Sequence, residues 1–212
     1  VPPAASMPTP PARPTAPLPP PMLVLFPTLL TTPLWLKSVG LYQYLALEIM
    51  IWMLFALGYN LLLGVAGLPS FGHGAYFGIG AYAFGLLELR VWPNLFFDLA
   101  GATLAAAAFG ALVALFISHR RGIYYALLTI AFGQVFWFVA VKWHSITGGE
   151  DGLLNLKRLP ADFGVVTFDL TSNAALFYFA FGVFTVVVVG LWRLVHSRFG
   201  RILTAIKQNE TR

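Results

Sequence analysis

The sequence of 212 residues contains no cysteine. Disulfides and thiolate chemistry are thereby excluded, and cysteine usage carries no information about redox compartment. Charge is nearly as scarce: Asp, Glu, Lys and Arg make up 10% of the chain, less than half of the roughly 25% usual in soluble domains. A soluble domain of this size cannot cover its surface with so few charges. No G-x-x-x-x-G-K-[ST] run is present, so the chain does not bind nucleotide through a phosphate-binding loop of that kind. The four histidines, His73, His119, His144 and His196, stand at no metal-ligand spacing, and no metal is expected. Period-two alternation is also missing, which argues against a closed β-barrel.

What is present is apolar sequence in long runs. Hydrophobic residues make up 58% of the chain, aromatics 16%, and mean hydropathy is +0.78. Six runs are read as membrane spans: 22–36, 41–63, 71–87, 95–118, 122–141 and 174–195. About 20 residues at 1.5 Å each cross a bilayer core of about 30 Å. The expected fold is therefore all-α, a polytopic transmembrane helical bundle of about six spans. The first run holds Pro27 and Pro33, tolerated in membrane helices where neighbours satisfy the freed backbone groups. A signal-peptide core is its rival reading, but no small-residue cleavage site precedes the next span.

Three regions follow: a Pro-rich tail over 1–21, a transmembrane domain over 22–195, and a basic C-terminal helix region over 196–212. Residues 1–22 carry ten prolines and are expected to be disordered or polyproline-like. Met22 is a candidate translational start. The chain stops inside an amphipathic segment and is expected to be incomplete. Arg120 and Arg121 lie in one short loop, and Arg193, Arg198, Arg201, Lys207 and Arg212 in the tail. Two crossings separate these groups, so they share a side, which the positive-inside rule makes cytoplasmic. The net charge of +5 thus reports topology, and no nucleic-acid partner is expected.

The run "GVAGLPSFGHGAYFGIGAY" (64–82) is glycine-rich where a plain span would be hydrophobic. Gly64, Gly67, Pro69 and Gly72 are expected to break the helix from Leu63 onward. Gly74, Gly78, Ala81 and Gly85 then fall at i, i+4, i+7 and i+11, one helix face. Small residues on one face let a second helix approach closely; the alternative is a face that lines or hinges a pathway. Broken backbone at membrane depth survives only where it is buried in protein or faces water. Ser70 and His73 are candidates to satisfy it. Asn60, Thr129 and Gln134 are further polar residues within spans. Interhelical hydrogen bonds are their bland account, and a polar substrate path through Asn60, Ser70, His73, Thr129 and Gln134 the sharper one. Glu48 faces either a bundle interior or the membrane surface. "TGGEDG" (147–152) reads as an external turn, without the oxygen-ligand series of a calcium loop.

In the tail, Phe199, Ile202, Leu203 and Ile206 repeat at i, i+3, i+4 and i+7 and share a face. Such a helix either lies on anionic lipid or docks into a partner's groove. An integral membrane enzyme would gather acid or imidazole groups near one face. The basic side offers only Glu210 and two separated histidines, so no catalytic residue is assigned.

"YNLLLGVAGLPSFGHGAYFGIGAY", "RRGIYYALLTIAFGQVF", "SITGGEDGL" and "RFGRILTAIKQNETR", in this order and spacing, resemble the permease family of branched-chain amino acid ABC importers, in its LivM-type branch. The resemblance runs from residue 41 to residue 212. It implies an inner-membrane subunit with no cofactor of its own. It pairs with a second, LivH-like permease and two cytoplasmic ATPase subunits that use the ATP, and an extracytoplasmic binding protein delivers the substrate. It also implies that the tail is the coupling segment docked on the ATPase through Gly200, Arg201, Ile202, Leu203, Ile206 and Glu210, of which Gly200, Arg201, Ile206 and Glu210 stand at matching positions. Urea or short-chain amides are the alternative substrates within the family, and a non-functional truncated product is a further alternative. Two positions depart from the pattern. Family members often carry leucine at the place of Phe71 and glutamate at the place of Gln134. Further helices follow the coupling segment in the family.

Overall fold

The computed structural model describes residues 20–36, 40, 42–120, 122–162 and 167–208. Residues 1–19 of the expected Pro-rich tail, and Glu210, lie outside them. Eight helices appear among the described residues: α1 (Pro20–Leu36), α2 (Gln43–Asn60), α3 (His73–Arg90), α4 (Leu95–Ile117), α5 (Gly122–Lys142), the single turn α6 (His144–Thr147), α7 (Asn173–His196) and α8 (Arg198–Gln208). A two-residue hairpin of β1 (Ala161–Asp162) and β2 (Thr167–Phe168) is the strand structure described; it pairs Ala161 with Phe168 and Asp162 with Thr167.

Among the described residues, four helices are long and apolar enough to cross a membrane: Tyr44–Ala66, Leu95–Ile117, Gly122–Lys142 and Asn173–His196. The chain is an all-α, multi-pass membrane protein. Two of the six expected runs form helices that fall short of a full apolar span. In α1 the apolar stretch is only Val24–Leu36. In α3 four glycines, two tyrosines, and Glu88 and Arg90 dilute the apolar character.

The helices pack in two groups. Leu29 and Leu36 of α1, Ala46 and Met50 of α2, and Phe177, Phe184 and Val188 of α7 form one core. Val113 and Ile117 of α4 and Tyr125 of α5 form the other, with Tyr76 of α3 packed against it. The most extensive pairing is α3 with α4, and small residues line it. A Cβ placed on Gly80 would lie 3.9 Å from the Ala102 carbonyl and from Ala106 Cβ, and one on Gly110 3.8 Å from the Tyr76 ring. Without a hydrophobic drive between helices in lipid, such close approach supplies the attraction.

Two of the long helices, α4 and α7, start on a side-chain cap. Asn94 Oδ1 accepts the Phe96 and Phe97 amides at 3.1 Å, and Ser172 Oγ accepts the Ala175 amide at 3.1 Å. Each cap satisfies N–H groups that the first turn leaves open. The polar connection between α5 and α7 is fixed by similar means. Arg90 Nη2 donates to the Ser145 carbonyl at 2.6 Å. Thr147 Oγ1 donates to the Ala140 carbonyl at 2.6 Å. The Lys157 amide donates to Glu88 Oε1 at 2.6 Å. Gly148, Gly149 and Gly152 of the turn all have positive φ, 81°, 67° and 68°, a conformation other residues adopt only with strain.

Candidate functional site

The helix of α2 does not break at Leu63. It continues as a π-turn over Leu61–Ala66, with Asn60 Oδ1 against Gly64. The break comes at Gly67, whose φ of 75° is left-handed. There the Gly67 amide and the Leu68 amide both turn back to the Leu62 carbonyl, the latter at 2.9 Å. This is the usual way for a glycine to end a helix. Residues 67–72 are then non-helical until α3 starts at His73. The segment re-enters the bundle: Gly67 lies against Lys207 of α8, while Gly72 lies against Thr129, seven residues and about 10 Å along α5.

Thr129 holds the segment at this re-entry. The Phe71 amide donates to Thr129 Oγ1 at 3.1 Å, and that hydroxyl donates to the Ala126 carbonyl at 2.7 Å. Ser70 is 1% exposed, and its hydroxyl has no partner among the described residues. His73 sits in an aromatic collar, its ring centroid 5.0 Å from Phe55, 5.6 Å from Tyr59 and 5.8 Å from Tyr76. Its Nδ1 is buried without a partner among the described residues.

A cavity of about 580 Å³ opens beside the collar, lined by His73, Tyr76, Ala106, Gly110, Ile117, Ser118, Arg120 and Tyr125, and by Leu203 and Ile206 of α8. The volume is in the range of small-molecule sites, and the wall is mainly apolar with a few polar groups. It lies toward the end of the bundle where α2, α4 and α7 finish and α8 begins.

The five polar residues expected on one path do not converge. His73 lines the large cavity, and Thr129 holds the re-entrant segment, which contains Ser70, beside it. Gln134 instead is exposed on the other side of α5, in a 410 Å³ groove with Gly74, Tyr82 and Trp137. Asn60 is exposed and lines a 160 Å³ pocket against Val188 and Trp192 of α7. Polarity within a span marks a residue for attention but does not say which side of its helix looks inward. Glu48 is exposed near the start of α2.

The expected small-residue face of α3 is also divided. A Cβ on Gly78 would lie 2.7 Å from Phe136 of α5, and one on Gly85 2.7 Å from Leu153 of the loop. Gly74 and Ala81 are exposed, and nothing lies within 4 Å of a Cβ on Gly74. Among the described residues, no helix covers these two positions. The extensive α4 contact uses the neighbouring stripe, through Gly80. Tyr76, Tyr125 and the collar residues Phe55 and Tyr59 were not marked by the sequence, because aromatic residues in an apolar run give no local signal of a shared cavity.

At the basic end, Gly200 is buried against the Val195 carbonyl, which sets a sharp corner between α7 and α8. On α8, Phe199, Ile202 and Ile206 are 55%, 57% and 53% exposed, Arg201 is exposed, and Leu203 is half-buried.

A sequence profile of the family described as branched-chain amino acid transport system / permease component matches residues 41–212. The high-affinity branched-chain amino acid transport system permease protein LivM of Escherichia coli is 34% identical over 116 residues, 55% of this chain and 27% of that protein. Its counterpart in Salmonella typhimurium is 36% identical over 120 residues, with the same two shares. The matched part thus spans about a quarter of each curated relative. No solved structure matches the chain significantly.

Proposed function

The chain belongs to the branched-chain amino acid transport system permease family, and on that premise we propose that it is a permease subunit of an ABC importer for branched-chain amino acids in the bacterial inner membrane. In this reading it works with a second permease subunit, two cytoplasmic ATPases and an extracytoplasmic binding protein. It transports rather than catalyses, and ATP is used in the ATPase subunits. The observation that carries the proposal is the family match, which runs through every element from α2 to α8.

Two features of the geometry support it. The cavity beside His73 has a mainly apolar wall suited to a branched aliphatic side chain, with Arg120, Tyr76 and Tyr125 among its lining residues. With the basic end facing the cytoplasm by its Arg and Lys residues, the cavity is the inward vestibule of the path. The exposed Phe199, Ile202 and Ile206 on α8 form a short amphipathic helix, the kind that lays its apolar face into a partner's groove. Arg201 beside them meets an acidic rim. ATP-driven movement of the docked α8 then opens and closes the vestibule, since Leu203 and Ile206 are part of its wall.

The test is co-purification with the cognate ATPases. Ile206→Asp places a charge in the docked face and should abolish recovery of the ATPases and leucine uptake, with the protein still inserted in the membrane. An Ile206→Asp complex that forms and transports normally would overturn the docking role of α8.

A further inference from the structure

Between α8 and the π-turn that leads into the broken segment there is a polar contact that the docking surface does not include. Lys207 Nζ donates to the Gly64 carbonyl at 2.8 Å, across 143 residues of sequence. The Lys207 stem lies over Gly67, with Cγ 2.8 Å from where a Cβ on that glycine would be. The acceptor is in the last turn of the α2 helix, whose carbonyls have lost their helical partners. A cation there also meets the negative end of the helix dipole.

The placement along α8 gives the contact leverage. Ser197, between α7 and α8, is extended, with φ −72° and ψ 176°. Lys207 lies ten residues beyond, about 15 Å along the helix. It therefore holds the far end of a helix that bends at Ser197. The other end of the broken segment is fixed to α5 by the Phe71–Thr129 hydrogen bond. Residues 67–72 thus run as a short link from α8 to mid-depth in the bundle, next to His73.

We propose that Lys207 is a positioning residue, the strut through which displacement of α8 reaches the broken segment and the collar around His73. The proposal rests on the permease reading for its purpose, but the strut itself is a property of this chain. Coupling between distant sites requires a physical element that both ends bias, and Lys207 with the link 67–72 is such an element.

The decisive variant is Lys207→Met, which keeps the stem over Gly67 and removes only the ammonium; Lys207→Arg restores a donor. In the purified full chain in lipid nanodiscs, amide exchange over 64–72 should be about tenfold faster in Lys207→Met, the scale of one charged hydrogen bond. It should return toward wild type in Lys207→Arg. In liposomes with the assembled transporter, Lys207→Met should still carry its ATPases and hydrolyse ATP, while uptake per ATP falls several-fold and recovers in Lys207→Arg. Unchanged exchange overturns the strut. Unchanged uptake per ATP overturns its role in coupling. Failure of the wild-type chain to assemble with ATPases would sink the permease reading, while the exchange measurement still decides the strut.

Discussion

Replacing Gly72 by alanine isolates the backbone crossing that fixes the broken segment. Gly72 has φ −91° and ψ 15°, which any residue adopts, so alanine adds no backbone strain there. The consequence is purely steric. A Cβ on Gly72 would run into the Thr129 carbonyl, and a Cβ on Gly133 would lie 3.3 Å from Gly72 Cα, so the two backbones cross with no room for a methyl group. Overpacking of this kind costs about 1–3 kcal/mol. Separating the strands of the crossing also stretches the Phe71–Thr129 hydrogen bond, 3.1 Å long and worth about 0.6–1.7 kcal/mol in a membrane protein. Reduced freedom of the unfolded chain returns about 0.4–1 kcal/mol. The net expectation is a loss of about 1–4 kcal/mol. Gly74, two residues on, is the control: it is helical and nothing surrounds its Cβ position. Gly74→Ala should be neutral or gain about 0.5–1 kcal/mol from helix propensity. The assay is reversible unfolding of the purified chain in mixed micelles with increasing SDS, followed by tryptophan fluorescence. Equal stability of Gly72→Ala and wild type, or a larger loss in Gly74→Ala, would refute the reasoning.

Two other groups give sharp expectations. Asp98 of α4 is fully buried, with the Glu88 carboxylate near it and no cationic partner among the described residues; a buried charge so placed is expensive. Asp98→Asn should therefore unfold at the same or higher SDS, and a loss above about 1 kcal/mol would contradict the lack of a partner. In the polar connection, Asp169 accepts both the hydroxyl and the amide of Thr171, and these bonds hold its pKa below the ordinary carboxylate value. A depressed folded pKa means the contribution is complete above the unfolded value and is lost as pH falls through the folded one. Thr171→Val should raise the Asp169 pKa in an NMR titration; an unmoved value would show that these bonds are not its cause.

The span pattern was legible because lipid imposes one requirement on every residue of a long run, and 95–118 and 174–195 needed only that to be read. The break in 64–72 was legible in kind but displaced by three residues. Gly64 is tolerated inside a helix when a side chain fills its empty side, as Asn60 does, whereas Gly67 supplies the left-handed turn that ends it. The glycine face of α3 is divided for a different reason. Periodicity says which residues share a side, but the partner on that side is chosen by the whole bundle; α4 arrived one stripe over, at Gly80. Likewise Gln134 and Thr129 are five residues apart on α5, far enough round the helix to face different cavities. The Lys207–Gly64 contact had no signature, because a lysine in a basic tail looks like one more topology marker.

The re-entrant segment 67–72 shows why these residue types stand together at membrane depth. Non-helical backbone there must find polar partners within the protein or in a wet cavity. The Gly67 and Leu68 amides use the Leu62 carbonyl, and the Gly64 carbonyl takes the Lys207 ammonium. The Phe71 amide takes the Thr129 hydroxyl, and Pro69 has no amide to satisfy. Each partner comes from a different element: α2, α8 and α5. A plain apolar helix would satisfy its own backbone and be indifferent to its neighbours. By giving up that independence, the segment becomes sensitive to the position of three helices at once. Glycines allow the close approaches that this requires, and the residue released at its end is His73, on the wall of the 580 Å³ cavity. The glycine-rich run is therefore better understood as a joint between three helices than as a weakened span.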